Sequence, residues 1–251
     1  MVDSGGNPEE GQQIIKEIRR HTNRPIRFLV NTHYLGAHTF GNSIFRKEGV
    51  TIIAHKNVQR ALSGKLGQLE LQNLKDSGVS GLDETIITPP NMVFEKRLEM
   101  IFGGYQIHLI SLGHALTDGD VLVYLPDFKT IITGGVVGNQ VLPQLAKSDW
   151  ENWIRILGAF DNYKAEIILP GTGQAGEKPV AIQMRHYLMD IRQQIKLNER
   201  KSFKEVLQAT ISFLKRKYGS WARQDRMEDN VRMIYQDLLK RKVKNESRTT
   251  L

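Results

Sequence analysis

The stretch Asn31-Thr32-His33-Tyr34-Leu35-Gly36-Ala37-His38-Thr39-Phe40-Gly41-Asn42 decides how the rest of this chain is interpreted. It directly follows the mostly apolar segment 26–30, which predicts a buried strand. Side chains at the end of a strand can converge on a common point, and imidazoles such as His33 and His38 bind transition metals. Between them, Leu35 and Ala37 have no lone pair to offer a cation. The stretch therefore has the spacing of a two-metal loop but only part of its ligands.

Composition gives modest bounds. A length of 251 residues fits one large domain or a domain with an appendage, and 40% apolar with 25% charged residues is typical of globular proteins. No run of 18 apolar residues occurs, so no membrane span is predicted. The absence of cysteine excludes disulfides, thiolate metal sites and a cysteine nucleophile. No secretory leader is visible at Met1, and if that N-terminus is native we expect a cytoplasmic protein; otherwise the compartment is not fixed.

The net charge of +8 is concentrated near the C-terminus. Residues 185–251 carry 17 Lys/Arg against 8 Asp/Glu, whereas residues 1–184 carry 18 against 19. The basic stretch ends in Lys240-Arg241-Lys242-Val243-Lys244. Such a segment can attract nucleic acid, but no stacking platform or groove-reading motif accompanies it. We therefore interpret it as the solvated faces of amphipathic helices, and we consider nucleic acid an unlikely partner.

The chain predicts an alternation of helices and strands. The Asn-Pro-Glu-Glu sequence at 7–10 has the features of a helix start, and Ser148-Asp149-Trp150-Glu151 has those of a capping box, followed by an aromatic stripe that we assign to the core. The predicted strands are 26–30, 50–54, 92–101, 105–112, 121–125, 130–133 and 167–169, and the predicted later helices are 180–197, 202–218 and 225–242.

Five loops follow the strands in a fixed order. They are Asp3-Ser4-Gly5, the stretch 33–42, the segment 113–120, Thr133-Gly134-Gly135 and Pro170-Gly171-Thr172-Gly173. In order and spacing they resemble the metallo-beta-lactamase superfamily across essentially the whole chain, and the helical tail resembles its hydroxyacylglutathione-hydrolase-like branch. The resemblance implies an α/β (α+β) fold, a four-layer αβ/βα sandwich at 1–178, and a basic helical extension at 179–251. The family usually has two or more strands before the first of these loops, whereas only Met1-Val2 precede Asp3 here. We therefore expect either that this chain is a truncated fragment or that the first strands are absent.

The resemblance also implies where seven metal ligands would stand, and five positions fail. The first loop has His33 and His38 as remnants, with Leu35 and Ala37 substituted. The other three family positions fall on Leu116, Gly135 and Thr172. Zinc needs about three or four protein ligands, so no cofactor is expected unless the site has been rebuilt. A rebuilt zinc site would combine His33, His38 and His114, with Asp118 or Asp120 nearby.

The remaining polar residues have ordinary interpretations. Asp120 corresponds to the family's framework aspartate, and His55 begins a helix and is interpreted as structural. Hydroxyls at Ser111 or Thr172 would need a base to act as nucleophiles. The two Gly-rich turns could bind an anion through backbone N–H groups, although tight turns are the simpler interpretation.

Two functions stay open. The first is a non-hydrolytic pseudoenzyme that serves as a binding or interaction scaffold for a small apolar or anionic ligand or a protein partner. The second is a hydrolase of a thioester, lactone or related acyl substrate with a rearranged single-metal or metal-free site. Enzymatic activity is therefore uncertain, and the substituted positions argue against it. A sheet without its first strands would expose an edge, so we also predict a homo-oligomer or a partner-bound state.

Overall fold

The computed structural model describes the backbone of residues 1–249 and the side chains of residues 1–242. The chain divides into two compact units, one formed by residues 1–113 with 117–134 and the other by residues 114–116 with 135–251. The helices are α1 (Pro8–His21), α2 (Gly36–Thr39), α3 (Asn42–Lys47), α4 (Lys56–Ser63), α5 (Lys65–Asp76), α6 (Trp150–Gly158), α7 (Pro179–Leu197), α8 (Phe203–Tyr218) and α9 (Met227–Thr249). The strands are β1 (Phe28–Val30), β2 (Thr51–His55), β3 (Met92–Phe94), β4 (Arg97–Phe102), β5 (Tyr105–Gly113), β6 (Asp120–Leu125), β7 (Thr130–Gly138) and β8 (Ile167–Thr172).

The first unit contains a parallel sheet with the order β1-β2-β3. Leu29 lies opposite Ile52, and Ile53 lies opposite Met92. Outside the named strands, Val2 forms a single parallel bridge with Val30. Parallel strands have their carboxyl ends at the same edge of the sheet. The segment after β1 and the start of α4, which follows β2 directly, therefore leave the sheet on the same side.

The second sheet has the order β4-β5-β6-β7-β8, and β4 to β7 pair antiparallel. A two-residue turn at Gly103-Gly104 joins β4 to β5, and both glycines have left-handed φ, 62° and 87°. This is the backbone that a tight hairpin needs and that glycine adopts without strain. The last residues of β7, 135–138, and all of β8 belong to the second unit.

One strand prediction is wrong. The stretch 92–101 was expected to form a single strand, but β3 pairs in the parallel sheet and β4 in the antiparallel one. The chain crosses between the sheets at Glu95-Lys96, where Phe94 is buried and the side chain of Glu95 forms an ion pair with Lys56. Strand β3 ends at the buried Phe94, and β4 starts after the two charged residues.

Within the first unit, the parallel sheet and strands β5 and β6 of the second sheet share one apolar core. Its buried members come from both sheets and are Val30, Ile53, Phe94, Leu109, Val121 and Val123. A second cluster packs helices α1 and α3 on the other face of the parallel sheet, and its buried members are Leu29, Phe45, Val50 and Ile52. Helices α4 and α5 contact each other beside these strands. The mixed α/β class predicted from the sequence is confirmed.

The second unit is mainly helical. Trp150 and Trp153 are fully buried, and the Trp153 indole donates to Val136 O at 2.8 Å, so the aromatic stripe is core as predicted. The N-cap of α6 is Asp149, whose carboxylate accepts from Asn152 N; the predicted Ser148 cap is wrong, because the Ser148 hydroxyl donates to Leu145 O. Among the described residues no helix combines the length and apolarity needed to cross a bilayer.

Helices α7 and α8 agree with their predictions to within one residue, whereas α9 begins two residues and ends seven residues later than predicted. Helix α8 begins with a capping box between Ser202 and Glu205, and α7, α8 and α9 contact one another. Helix α9 runs to Thr249, although the side chains of Val243 and Lys244, part of the predicted basic stretch, lie outside the described residues. The boundary between residues 178 and 179, drawn from charge and resemblance, stays a prediction.

Candidate metal loop

The segment after β1 is closed by two buried side-chain amides. The side chains of Asn31 and Asn42 bond to each other through two hydrogen bonds of 3.0 and 2.9 Å, and both are buried. These bonds close the segment into a loop that also contains the short helix α2. The Gly36 N–H at the start of α2 donates to Glu70 Oε1 of α5 at 2.6 Å. These polar contacts connect both ends of the loop and its short helix to the rest of the first unit.

Asp3 is the centre of a second polar network. Its backbone has a left-handed φ of 55°, which is uncommon outside glycine, and its N–H donates to Val30 O. Its carboxylate accepts from Thr32 N and from Thr32 Oγ1, each at 2.8 Å, and lies 2.8 Å from His38 Nδ1. The strained backbone is held because three donors converge on one carboxylate.

The charges of Asp3 and His38 stabilise each other. Burial raises the pKa of Asp3, but the charge of His38 and the hydrogen bonds outweigh it, so that this pKa lies below its usual value. Burial lowers the pKa of His38, but the charge and the hydrogen bond of Asp3 outweigh it, so that this pKa lies above its usual value. The side chains of both residues are only 15% exposed, which reduces screening by water.

His33 has a different electrostatic state from His38. Its burial and the nearby charge of His38 lower the pKa of His33 to about 3, so this imidazole is neutral near pH 7. The two rings meet edge to face with their centroids 4.3 Å apart. The pKa values of the two neighbouring imidazoles are thus shifted in opposite directions, which disfavours two adjacent buried cations.

Asp3, His33 and His38 form a cluster of potential metal ligands. Their ligand atoms all lie within 4.8 Å of one another, and no other such cluster occurs among the residues with described side chains. Asp3 was not one of the predicted ligand positions. The only sequence signal for it was its membership of the first of the five loops, since its partners are 29 to 35 residues away.

The two-metal centre implied by the resemblance does not fit this loop. Leu35 packs against the apolar cluster of Tyr34, Ala54 and Val58, and the backbone of Ala37 lies close to Gly6. Neither side chain has a donor atom, and the carboxylate of Asp3 is already shared among its three hydrogen-bond donors. No catalytic step through a metal pair is therefore derived for this chain.

The other residues considered for a rebuilt site have partners of their own. His114 belongs to the second unit, where its Nε2 lies 2.7 Å from Lys147 O. Asp118 forms an ion pair with Arg60. The Asp120 carboxylate accepts from Thr117 N and Thr117 Oγ1, which agrees with a framework role. Within the first unit His38 pairs with Asp3, and the rebuilt site of His33, His38 and His114 stays a prediction.

The substituted positions in the later loops all belong to the second unit. Leu116 and Gly135 are half-buried, whereas Thr172 is exposed and its carbonyl accepts from Asn139 N. Gly173 has φ 88°, and a Cβ there would lie 2.2 Å from Asn139 O. In the first unit, Gly134 has φ 52° and a Cβ would lie 2.2 Å from Thr32 Oγ1. Close packing of these turns agrees with the tight-turn interpretation.

His55 has the structural role expected from its position. Its Nδ1 accepts from Asn57 N at 3.2 Å and thereby caps α4. Burial lowers the pKa of His55. The Ser111 hydroxyl accepts weakly from Gly113 N at 3.5 Å, and a nucleophilic role for Ser111 or Thr172 stays a prediction.

Comparison with known proteins decides the family. The model of the metallo-beta-lactamase superfamily matches residues 1–172. The chain belongs to this superfamily. Solved structures of a metallo-beta-lactamase from Pontibacter korlensis (TM-score 0.59, 20% identity, covering 75% of this chain and 81% of that one) and of the DIM-1 metallo-beta-lactamase (TM-score 0.57, 18% identity, 75% and 80%) share the fold.

One curated relative also matches this chain. The linear primary-alkylsulfatase of Pseudomonas sp. (strain ATCC 19151) is 23% identical over 210 residues, which is 69% of this chain. This chain spans 39% of the length of that relative. Membership of the superfamily, predicted from the five loops, is confirmed, whereas the hydroxyacylglutathione-hydrolase-like branch stays a prediction.

Proposed function

We propose that this chain is a non-hydrolytic member of the metallo-beta-lactamase superfamily that serves as a binding scaffold. The observation that carries the proposal is the 2.8 Å contact between Asp3 Oδ2 and His38 Nδ1. The raised pKa of His38 favours a protonated imidazole in this pair, which would bring positive charge to the carboxylate. Thr32 supplies two further donors, so the Asp3 carboxylate has three partners within the protein.

The chemistry of metal-dependent hydrolysis supports the same proposal. That chemistry needs an ion that lowers the pKa of a bound water and stabilises the developing oxyanion. Five of the seven positions that the resemblance assigns to ligands are Leu35, Ala37, Leu116, Gly135 and Thr172, and none of them is a residue type that binds zinc in proteins. Losing the ions removes the nucleophile and its electrophilic partner together.

The proposed ligand is a small amphiphilic anion. Replacement of ligands by Leu35 and Ala37 makes the loop less polar, which favours an apolar group. The relative's name describes an enzyme for linear primary alkyl sulfates, molecules with an alkyl chain and a sulfate anion. The same combination of an apolar chain and a negative head is the ligand class that we assign to this scaffold.

The test combines metal content, turnover and binding. Protein purified without chelator and incubated with Zn²⁺ is expected to retain well under one equivalent of metal by elemental analysis. Octyl sulfate, kept below its micelle concentration, is expected to bind by calorimetry with no release of inorganic sulfate. Thioester and lactone substrates are expected to remain intact. Stoichiometric zinc that is lost in His38→Ala, together with turnover, would overturn the proposal.

A single-metal hydrolase is the second candidate, and one observation favours it. The ligand atoms of Asp3, His33 and His38 lie within 4.8 Å of one another. Two imidazoles and a carboxylate are a donor set found at catalytic zinc ions, which keep a fourth position open for water. Titration with Co²⁺ separates the candidates, because tetrahedral cobalt has strong visible absorption. The hydrolase candidate requires this absorption in the wild type and its loss in His33→Gln.

A further inference from the structure

Strand β4 leaves one side of the second sheet without a partner. Its neighbour on one side is β5, and among the described residues no strand pairs with its other side. A free strand edge presents backbone N–H and C=O groups that can pair with another chain. The edge of β4 is therefore a candidate interaction surface.

The hairpin register determines which backbone groups are free. Ser111 N donates to Lys96 O at 2.9 Å, and Phe102 and Tyr105 close the two-residue turn as a pair. In an antiparallel pair the hydrogen-bonding residues alternate along the strand. Residues 96, 98, 100 and 102 therefore bond to β5, whereas the backbone groups of Arg97, Glu99 and Ile101 point outward.

Several features that normally protect an edge are missing from β4. It contains no proline, and the irregularity in this sheet lies between Ser111 and Gly113 on β5. Ile101 is 78% exposed and Phe102 is 47% exposed, so the edge ends in an apolar surface. Its charges are one Arg97 and one Glu99, which form an ion pair within the strand. When two such strands pair antiparallel, the positive residue of each strand can lie opposite the negative residue of the other.

We propose that β4 pairs antiparallel with β4 of a second copy of this chain, about a two-fold axis at Leu98. In this register each Arg97 lies opposite Glu99 of the partner subunit, and the two outward-facing residues form hydrogen-bonded pairs. An axis at Glu99 would place two like charges opposite each other, and an axis at Met100 would leave Arg97 opposite a turn glycine. Charge complementarity therefore selects both the occupant and the register. This proposal goes beyond the binding function and does not depend on it.

The absence of cysteine makes the register directly testable. At an axis through Leu98, the two copies of this residue form a non-hydrogen-bonded pair with Cα atoms about 4.5 Å apart, within reach of a disulfide. Single-cysteine variants Leu98→Cys, Glu99→Cys and Met100→Cys are oxidised under the same conditions. The proposal predicts the fastest cross-linking for Leu98→Cys. Fastest cross-linking at Glu99 or Met100 would overturn the register.

Charge and backbone variants test the surface itself. Light scattering of the wild type at tens of micromolar is expected to give the mass of a dimer. Arg97→Glu is expected to give monomer, and the exchanged variant Arg97→Glu/Glu99→Arg is expected to restore the dimer. Ile101→Pro removes an outward N–H and no hydrogen bond to β5. It is expected to give the mass of a monomer by light scattering and the circular dichroism of the folded chain. A monomeric wild type, or a dimer unaffected by Arg97→Glu, would overturn the proposal.

Because mass is the readout, this test is independent of metal content and ligand binding. A monomer that binds octyl sulfate would reject the β4 dimer and leave the scaffold proposal intact. A dimer that hydrolyses an ester would agree with the β4 dimer and reject the scaffold proposal.

Discussion

The loop after β1 and the turn before β6 are both organised by an aspartate, but over very different distances along the chain. The carboxylate of Asp120 accepts from the amide and hydroxyl of Thr117, three residues away. The carboxylate of Asp3 holds Thr32 and His38, which are 29 and 35 residues away. The turn is thus a local motif, whereas the loop depends on tertiary structure. Both carboxylates accept hydrogen bonds from protein groups, within one turn for Asp120 and over long sequence distances for Asp3.

The largest effect is expected from Asp3→Ala. The substitution removes the acceptor of three donors and leaves the partly buried charge of His38 unpaired, which should lower the free energy of unfolding by about 3–4 kcal/mol. Urea denaturation measures this change. Asp83→Ala is the matched control, since the Asp83 side chain is 98% exposed. A loss no greater than that of the control would contradict the assignment of Asp3 as the centre of the network.

The next effect concerns the close approach of Gly134 to the same network. Gly134→Ala combines a φ of 52° with a Cβ that would lie 2.2 Å from Thr32 Oγ1. We expect a loss of about 2–3 kcal/mol. Gly103→Ala is the control, because Gly103 has φ 62° but no atom within 4 Å of its added Cβ. Equal losses in both variants would show that backbone strain alone, and not contact with Thr32, requires the glycine.

A smaller effect is expected in the local turn. Asp120→Asn keeps the shape of the side chain but presents an NH₂ group to the Thr117 donors, which should cost about 1–2 kcal/mol. Denaturation at pH 7 measures it, with Asp83→Asn as the control. A loss that exceeds that of Asp3→Ala would reverse the comparison between the local and the long-range aspartate.

The smallest effect is a change in pH dependence at His55. Its neutral Nδ1 caps α4, and its pKa is lowered by burial, so the unfolded chain binds this proton more readily than the folded one. The stability that neutral His55 contributes is therefore present above pH 6.5 and decreases as the pH falls below it. His55→Asn keeps a capping group that does not titrate. The free energy of unfolding, measured by urea denaturation, should then fall less between pH 7 and pH 5 than in the wild type, by under about 1 kcal/mol. Unchanged dependence would contradict the role.

Much of the fold could be predicted from sequence because its signals are local. Apolar runs identified β1, β2 and β6, and the Gly103-Gly104 turn identified the hairpin. The crossing at Glu95-Lys96 was missed because an alternating pattern continues through it and does not say which sheet a strand joins. The N-cap of α6 was misplaced by one residue because Ser148 and Asp149 are both good caps, and only the tertiary structure shows which accepts the bond.

The candidate site was predicted less completely. His33 and His38 lie in one stretch and could be found from their spacing. Asp3 was not identified as their partner, because a contact across 35 residues leaves no periodicity or local motif. The opposite pKa shifts of the two histidines depend on burial and on the distance to one carboxylate. Neither quantity can be obtained from a single sequence.

The bond between the Gly36 amide and Glu70 gives helix α5 a role at the loop that its position along the chain does not indicate. The same carboxylate that accepts this N–H at 2.6 Å also contributes to the raised pKa of His38. A displacement of α5 would thus change two observables together, the solvent exchange of the Gly36 proton and the titration of the His38 ring. In nuclear magnetic resonance spectra, these two signals would act as paired reporters of anything that binds near α5.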